Sequence, residues 1–219
     1  MSFSFLSIRA AKKLLGFTCL FTLCSIGPLM ATTVFQVVVD TSAIAGTNGL
    51  IDFQLNPFAV AGGGTAEILG FSSTGGVLGG PLAPIGDVSG ALPGTVTIAN
   101  TTVFNDYTEQ FTFGSDFSFF LRLDGTLANN TFFLGLYTPG FGAPLLTSGD
   151  FIGIVDIDAN GIVQTPVTFL TDTGGPPVAT FTPFAGEIPE PSTLPLCAGA
   201  IAMLCVLPKV RSFFRPARS

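Results

Sequence analysis

The chain has 219 residues, 47% of them hydrophobic and 10% charged, with 27 glycines, no histidine and no tryptophan. This composition excludes a highly charged disordered chain, and the lack of histidine excludes histidine-based triads and general bases. Of the 8 basic residues only Arg122 lies between the two ends of the chain, whereas of the 14 acidic ones only Glu190 lies outside the interval from Asp40 to Glu187. A domain of thirteen acids and one base offers no basic surface to nucleic acid. Most of its acids are expected at the surface.

Residues 1–31 read as a secretory signal peptide. Arg9, Lys12 and Lys13 form a basic start, 14–26 an apolar stretch, and Pro28 to Ala31 an approach to a cleavage site. An uncleaved N-terminal anchor is the rival reading. All four cysteines, Cys19, Cys24, Cys197 and Cys205, fall in the two apolar terminal segments. The domain between them, residues 32–187, therefore holds no disulfide and no ordinary zinc or copper site. It is one domain, long enough to bury a core.

From residue 32 the pattern is that of strands. Residues 34–40 (VFQVVVD) are dense in β-branched side chains. Residues 50–55 (LIDFQL) alternate with a period of two, which predicts a strand with one buried face, stopped by Asn56 and Pro57. A weaker strand is predicted over 67–72, and the Gly/Pro-rich stretch 74–86 reads as a long loop. Residues 95–99 (TVTIA) alternate again. In 110–123 (QFTFGSDFSFFLRL), Phe111, Phe113, Phe117, Phe119, Leu121 and Leu123 all fall at odd positions and share one face of an extended chain. Gly114 to Asp116 is a natural break into two strands or a hairpin. This stripe is the expected core. The alternative, a sugar-stacking platform, favours Trp and Tyr, whose polar tips meet water, and the chain has no Trp and only 2 Tyr.

Strands are also predicted over 131–137, 151–158, 162–170 and 178–184. Ala159, Asn160 and Gly161 form a three-residue hairpin connection with Asn-Gly turn chemistry, and Pro166 marks an edge strand or bulge. Helical periodicity is absent. Nine or so short strands in one domain predict an all-β, two-sheet β-sandwich, of which the jelly roll is one form.

Two kinds of chemistry are testable in this domain. A carboxylate pair suits glycoside hydrolysis, but nothing in the sequence nominates two acids that converge. The segment Asp156-Ile157-Asp158-Ala159-Asn160-Gly161 matches the opening of a calcium loop, with Asp156, Asp158 and Asn160 as ligands. The twelfth position, where a bidentate Glu closes such a loop, is Val167, and strands rather than helices flank it. A polar hairpin turn is the simpler reading. The domain is expected not to be an enzyme and to need no cofactor.

The last stretch, residues 188–219, has three parts: the triplet Pro189, Glu190, Pro191; an apolar run whose membrane-spanning portion is about 192–208; and a basic tail, 209–219, with Lys209, Arg211, Arg215 and Arg218. The apolar run is close to the lower length limit for a span. The basic cluster after it favours the cytoplasmic side and leaves the domain outside. Prolines keep the triplet extended.

This order resembles the PEP-CTERM sorting domain of Gram-negative bacteria. The resemblance implies an exosortase as partner, a membrane cysteine transpeptidase that cleaves near the triplet and transfers the protein to an acceptor. Pro189, Glu190 and Pro191 are then a substrate motif with no catalytic part. It also implies export, a transient hold in the membrane, and an association with exopolysaccharide. Residues 39–57, 86–100 and 104–123 further resemble a family of small PEP-CTERM proteins without an assigned activity. The expected role is structural or interactive, at the cell surface or in extracellular matrix. The alternative is a carbohydrate-binding, lectin-like module.

Overall fold

The computed structural model describes residues 32–58, 62–172 and 174–185. Among these, two antiparallel six-stranded sheets pack face to face as a sandwich. The first sheet holds β1 (Thr33–Asp40), β3 (Gly64–Thr74), β5 (Val88–Gly90), β6 (Val96–Ala99), β8 (Asp116–Gly125) and β12 (Ala179–Pro183), in the order β12-β1-β8-β3-β6-β5. The second holds β2 (Asn48–Pro57), β4 (Val77–Pro81), β7 (Asp106–Thr112), β9 (Asn130–Tyr137), β10 (Gly153–Ile157) and β11 (Val167–Thr168), in the order β11-β10-β9-β2-β7-β4. The pairings β1 with β8, β2 with β7 and β3 with β6 nest and alternate between the sheets. That is a long hairpin wound around a sandwich, the plan of a jelly roll. β5 departs from it by pairing with β6 rather than with β4.

The phenylalanine stripe forms the core, as its parity predicts. Phe111 and Phe113 reach it from the second sheet, and Phe117, Phe119, Leu121 and Leu123 from the first, all buried. The break between them makes two strands, β7 and β8, and not a hairpin. It is an arch that carries the chain across the sandwich, so one odd-numbered series points inward from both sides. Phe119 meets Phe53 of β2 edge-on at 5.2 Å, and Phe111 meets Phe113 at 5.3 Å. Such edge-to-face pairs add to the stabilisation from burial alone.

Three predicted elements change. The stretch 74–86 is not all loop, because Val77–Pro81 pairs with β7 as an edge strand with an irregular register at Leu78/Gly80. The predicted strand 162–170 shrinks to Val167–Thr168, at the edge of its sheet. Pro166 cannot donate to a ladder, which fits that confinement. β2 runs on to Pro57 and is buried on both faces at its centre, so Leu50 and Asp52 on the outward side are as enclosed as Ile51 and Phe53 on the inward side.

The first and last strands are partners: Phe35 lies opposite Pro183, and the Phe184 N–H donates to the Val34 carbonyl at 2.8 Å. The described chain therefore begins and ends side by side. Among the described residues no helix is long and apolar enough to cross a membrane.

Candidate functional site

Asp52 and Asp106 are two acids that the fold brings together. In the β2–β7 ladder Asp52 stands opposite Thr108 and Gln54 opposite Asp106, so the two acids are diagonal neighbours on the outward face of the second sheet. Asp52 is 1% exposed and Asp106 6%. Gln54 donates its amide N–H to Asp52 Oδ2 at 2.7 Å, and Thr108 donates its hydroxyl to Asp106 Oδ1 at 3.0 Å. Asn56 continues the row by donating to Gln54 Oε1 at 2.9 Å. Among the described residues, Asp52 Oδ1 accepts no hydrogen bond. Burial, and then the Asp106 carboxyl beside it, push the Asp52 carboxyl up to about 8.

The roof over Asp52 comes from β9. Opposite Asp52 on that side is Gly135. A β-carbon there would meet the Tyr137 ring at 2.7 Å, so the absent side chain is what admits the ring. Tyr137 donates its hydroxyl to the Asp150 carbonyl at 2.6 Å. Burial, with Asp52, Asp150 and Asp106 nearby, raises the phenol above its ordinary value. Both carboxyls are thus almost fully withdrawn from solvent.

A third buried carboxylate, Glu109, points into the core itself and is 0% exposed. It is satisfied: Tyr107 donates its hydroxyl to Oε2 at 2.7 Å and the Gly80 N–H donates to Oε1 at 2.7 Å. Tyr107 in turn accepts the Leu92 N–H at 3.0 Å.

The calcium-loop candidates separate. Asp156 faces outward on β10, where its Oδ1 accepts the Thr131 hydroxyl at 2.8 Å. Asp158 folds back into its own turn: Oδ1 accepts the Asn160 N–H at 2.8 Å and the Ile162 N–H at 3.0 Å, and Oδ2 accepts the Gln164 amide at 3.3 Å. The N–H groups of Ile162 and Asn160 hold its carboxyl below the usual value. Asn160 contributes its backbone to the turn, and Gly161, at φ 78°, takes the left-handed position that the turn requires. Among the described residues no group of three or more His, Cys, Asp or Glu side chains is placed to hold a metal ion.

This turn has a structural consequence. It forms one wall of a groove of about 650 Å³ beside β1 and β12. Phe35, Leu127, Val163 and Phe181 line it with apolar surface, and Thr126 and Gln164 add neutral polar groups. Among the described residues no charged side chain lines it.

Pro189, Glu190 and Pro191, the apolar stretch 192–208 and the basic stretch 209–219 lie outside the described residues, as do residues 1–31, where a signal peptide is expected. Compared with protein-family models, curated proteins and solved structures, the chain finds no match.

Two of the three buried acids leave a trace in the sequence. The odd-numbered stripe, extended backwards, reads Tyr107, Glu109, Phe111, Phe113, which places Glu109 on the core face. Asp52 sits between Ile51 and Phe53 in an alternating strand, and that marks it as outward. For Asp106 no local pattern distinguishes it from a surface acid.

Proposed function

We propose that this chain is an exported bacterial surface or extracellular-matrix protein, sorted by an exosortase, with a structural or interaction role linked to exopolysaccharide. The observation that carries this reading is the order at the C-terminus: Pro189-Glu190-Pro191, an uncharged apolar run, then Lys209, Arg211, Arg215 and Arg218. The fold is compatible with it. A sandwich without cysteine needs no oxidative step after export, and the last strand ends at Pro183, six residues before the triplet. The test is to replace Pro189, Glu190 and Pro191 together and follow the protein by fractionation. The expected result is precursor-sized chain held in the inner membrane. Release of the variant at mature size, as for the parent, overturns the sorting role.

The second reading is a carbohydrate-binding module. The groove of about 650 Å³ favours it, because its polar groups are amides and hydroxyls with apolar surface between them. Ligand sites of this kind combine an apolar lining with a few polar groups that fix orientation. On a glycan array this reading predicts specific micromolar binding that Gln164→Ala weakens about tenfold, the loss of roughly one hydrogen bond to a ligand. Absence of binding across the array leaves the structural role.

A further inference from the structure

We infer that Asp52 and Asp106 share one proton at neutral pH, and that this proton clasps the outer face of the second sheet so that alkali loosens the domain. The inference concerns the folded domain and is independent of where the chain resides.

The geometry requires a hydrogen that the rest of the protein does not supply. Asp52 Oδ1 is buried and, among the described residues, accepts no hydrogen bond; the nearby Thr108 hydroxyl donates to Asp106 Oδ1 instead. A buried oxygen left without a donor is costly, and two ionised carboxylates side by side away from water are costlier still. A carboxylic O–H between the two acids resolves both at once. One acid then donates, the other accepts, and the pair carries a single negative charge.

Among the described residues no cationic side chain faces the pair. From β2 the pair is faced by the Gln54 amide, and from β7 by the Thr108 hydroxyl. From β9 it is faced by the Tyr137 phenol, and from the loop beyond by Asp150, whose backbone carbonyl takes the Tyr137 hydroxyl. Each of these groups is neutral or acidic. Arg122, the lone base between the two ends of the chain, is on β8 in the other sheet, paired with Glu67.

The proton links folding to pH with a definite sign. The raised value near 8 for Asp52 stands against an ordinary carboxyl value of 3.8. The folded pair therefore holds a proton that the unfolded chain gives up. Its contribution is fully present below about 4 and is lost as pH rises through about 8. Across that window the folding equilibrium constant falls by up to about tenfold per pH unit. Acids with lowered values, such as Asp40 and Asp158, act in the opposite direction, but only below their ordinary carboxyl value.

The experiment uses the full chain in a nonionic detergent. Infrared spectra at pH 7 should show the carbonyl band of one protonated carboxyl in the parent, lost on titration through about pH 8. Asp52→Asn should lack that band, because an amide N–H replaces the acid O–H. Denaturant unfolding from pH 5 to 9 should show the parent losing stability as pH rises. Asp52→Asn should have a flat profile over that range and exceed the parent at pH 9. If Asp52→Asn does not fold, the infrared titration of the parent and the symmetric Asp106→Asn carry the test. Absence of a protonated carboxyl in the parent at pH 7 overturns the inference. So does a parent pH profile that the Asn variants leave unchanged.

Discussion

Phe119 occupies the middle of the sandwich, where rings from both sheets meet. It is buried from β8, with Phe53 at 5.2 Å edge-on from the opposite sheet and Phe117 stacked at 6.4 Å on its own strand. Truncation to alanine leaves a cavity among aromatic neighbours that are themselves fixed by further rings, so collapse around it is limited. Phe119→Ala is expected to cost about 3–5 kcal/mol. It should appear as a lowered denaturant midpoint with an unchanged slope. A cost near that of a surface substitution, about 0.5 kcal/mol or less, removes Phe119 from the centre of the core. Parity alone made this residue legible: hydrophobic side chains two apart on an extended chain share a face whichever sheet they belong to. Parity fails for Asp52 for the same reason. It gives the side of the strand, and says nothing of what lies beyond that side. Tyr137, more than eighty residues on, reaches back over Gly135 to enclose it, and no window of sequence contains both.

The elements that were hard to read are the edge strands. β4 lies in a stretch of glycines and prolines whose composition signals a loop, yet a strand needing hydrogen bonds on one side only tolerates both residue types. Its pairing with β7 depends on a partner thirty residues away, and on Gly80, whose N–H is taken by the Glu109 carboxylate at 2.7 Å. The arch between β7 and β8 is a similar case. Gly114 marks a break in the pattern, but not its kind. A β-carbon at Gly114 would overlap the Thr74 carbonyl oxygen and the Gly76 nitrogen, so the backbone of the neighbouring turn packs directly on the arch. Thr41, fully buried, secures the other side by donating its hydroxyl to the Gly114 carbonyl at 2.9 Å. Local pattern thus gives the central strands, because their burial is written in their own side chains. The edges and crossings are set by the backbone they meet.

For the molecule as a whole, charge is the unusual quantity. Of the 14 acidic residues thirteen lie between Asp40 and Glu187, with Arg122 as the one base among them. Three of the acids, Asp52, Asp106 and Glu109, are buried. These three are the exceptions to the expectation that most of the acids lie at the surface. The remaining described acids repel one another across the surface, and dissolved salt screens such repulsion beyond about 8–10 Å at physiological strength. Sodium chloride is therefore expected to raise the melting temperature, with potassium chloride equivalent to it. Calcium is the sharper probe, because Asp156, Asp158 and Asn160 match the start of a calcium loop. A true site stabilises by mass action, about 2.7 kcal/mol at a hundredfold excess over the dissociation constant. The oxygens needed for it are already engaged: Asp156 Oδ1 by the Thr131 hydroxyl, Asp158 Oδ1 by two backbone N–H groups, Asp158 Oδ2 by Gln164. Binding calcium would strip the turn of the donors that shape it. Millimolar calcium should accordingly raise the melting temperature no further than sodium chloride at equal ionic strength. Asp158→Ala should destabilise the turn equally with and without calcium. A calcium-specific rise that Asp156→Asn removes, with the fold otherwise intact, would show that the turn opens to take the ion, and would make Asp156 a ligand in place of a partner for Thr131.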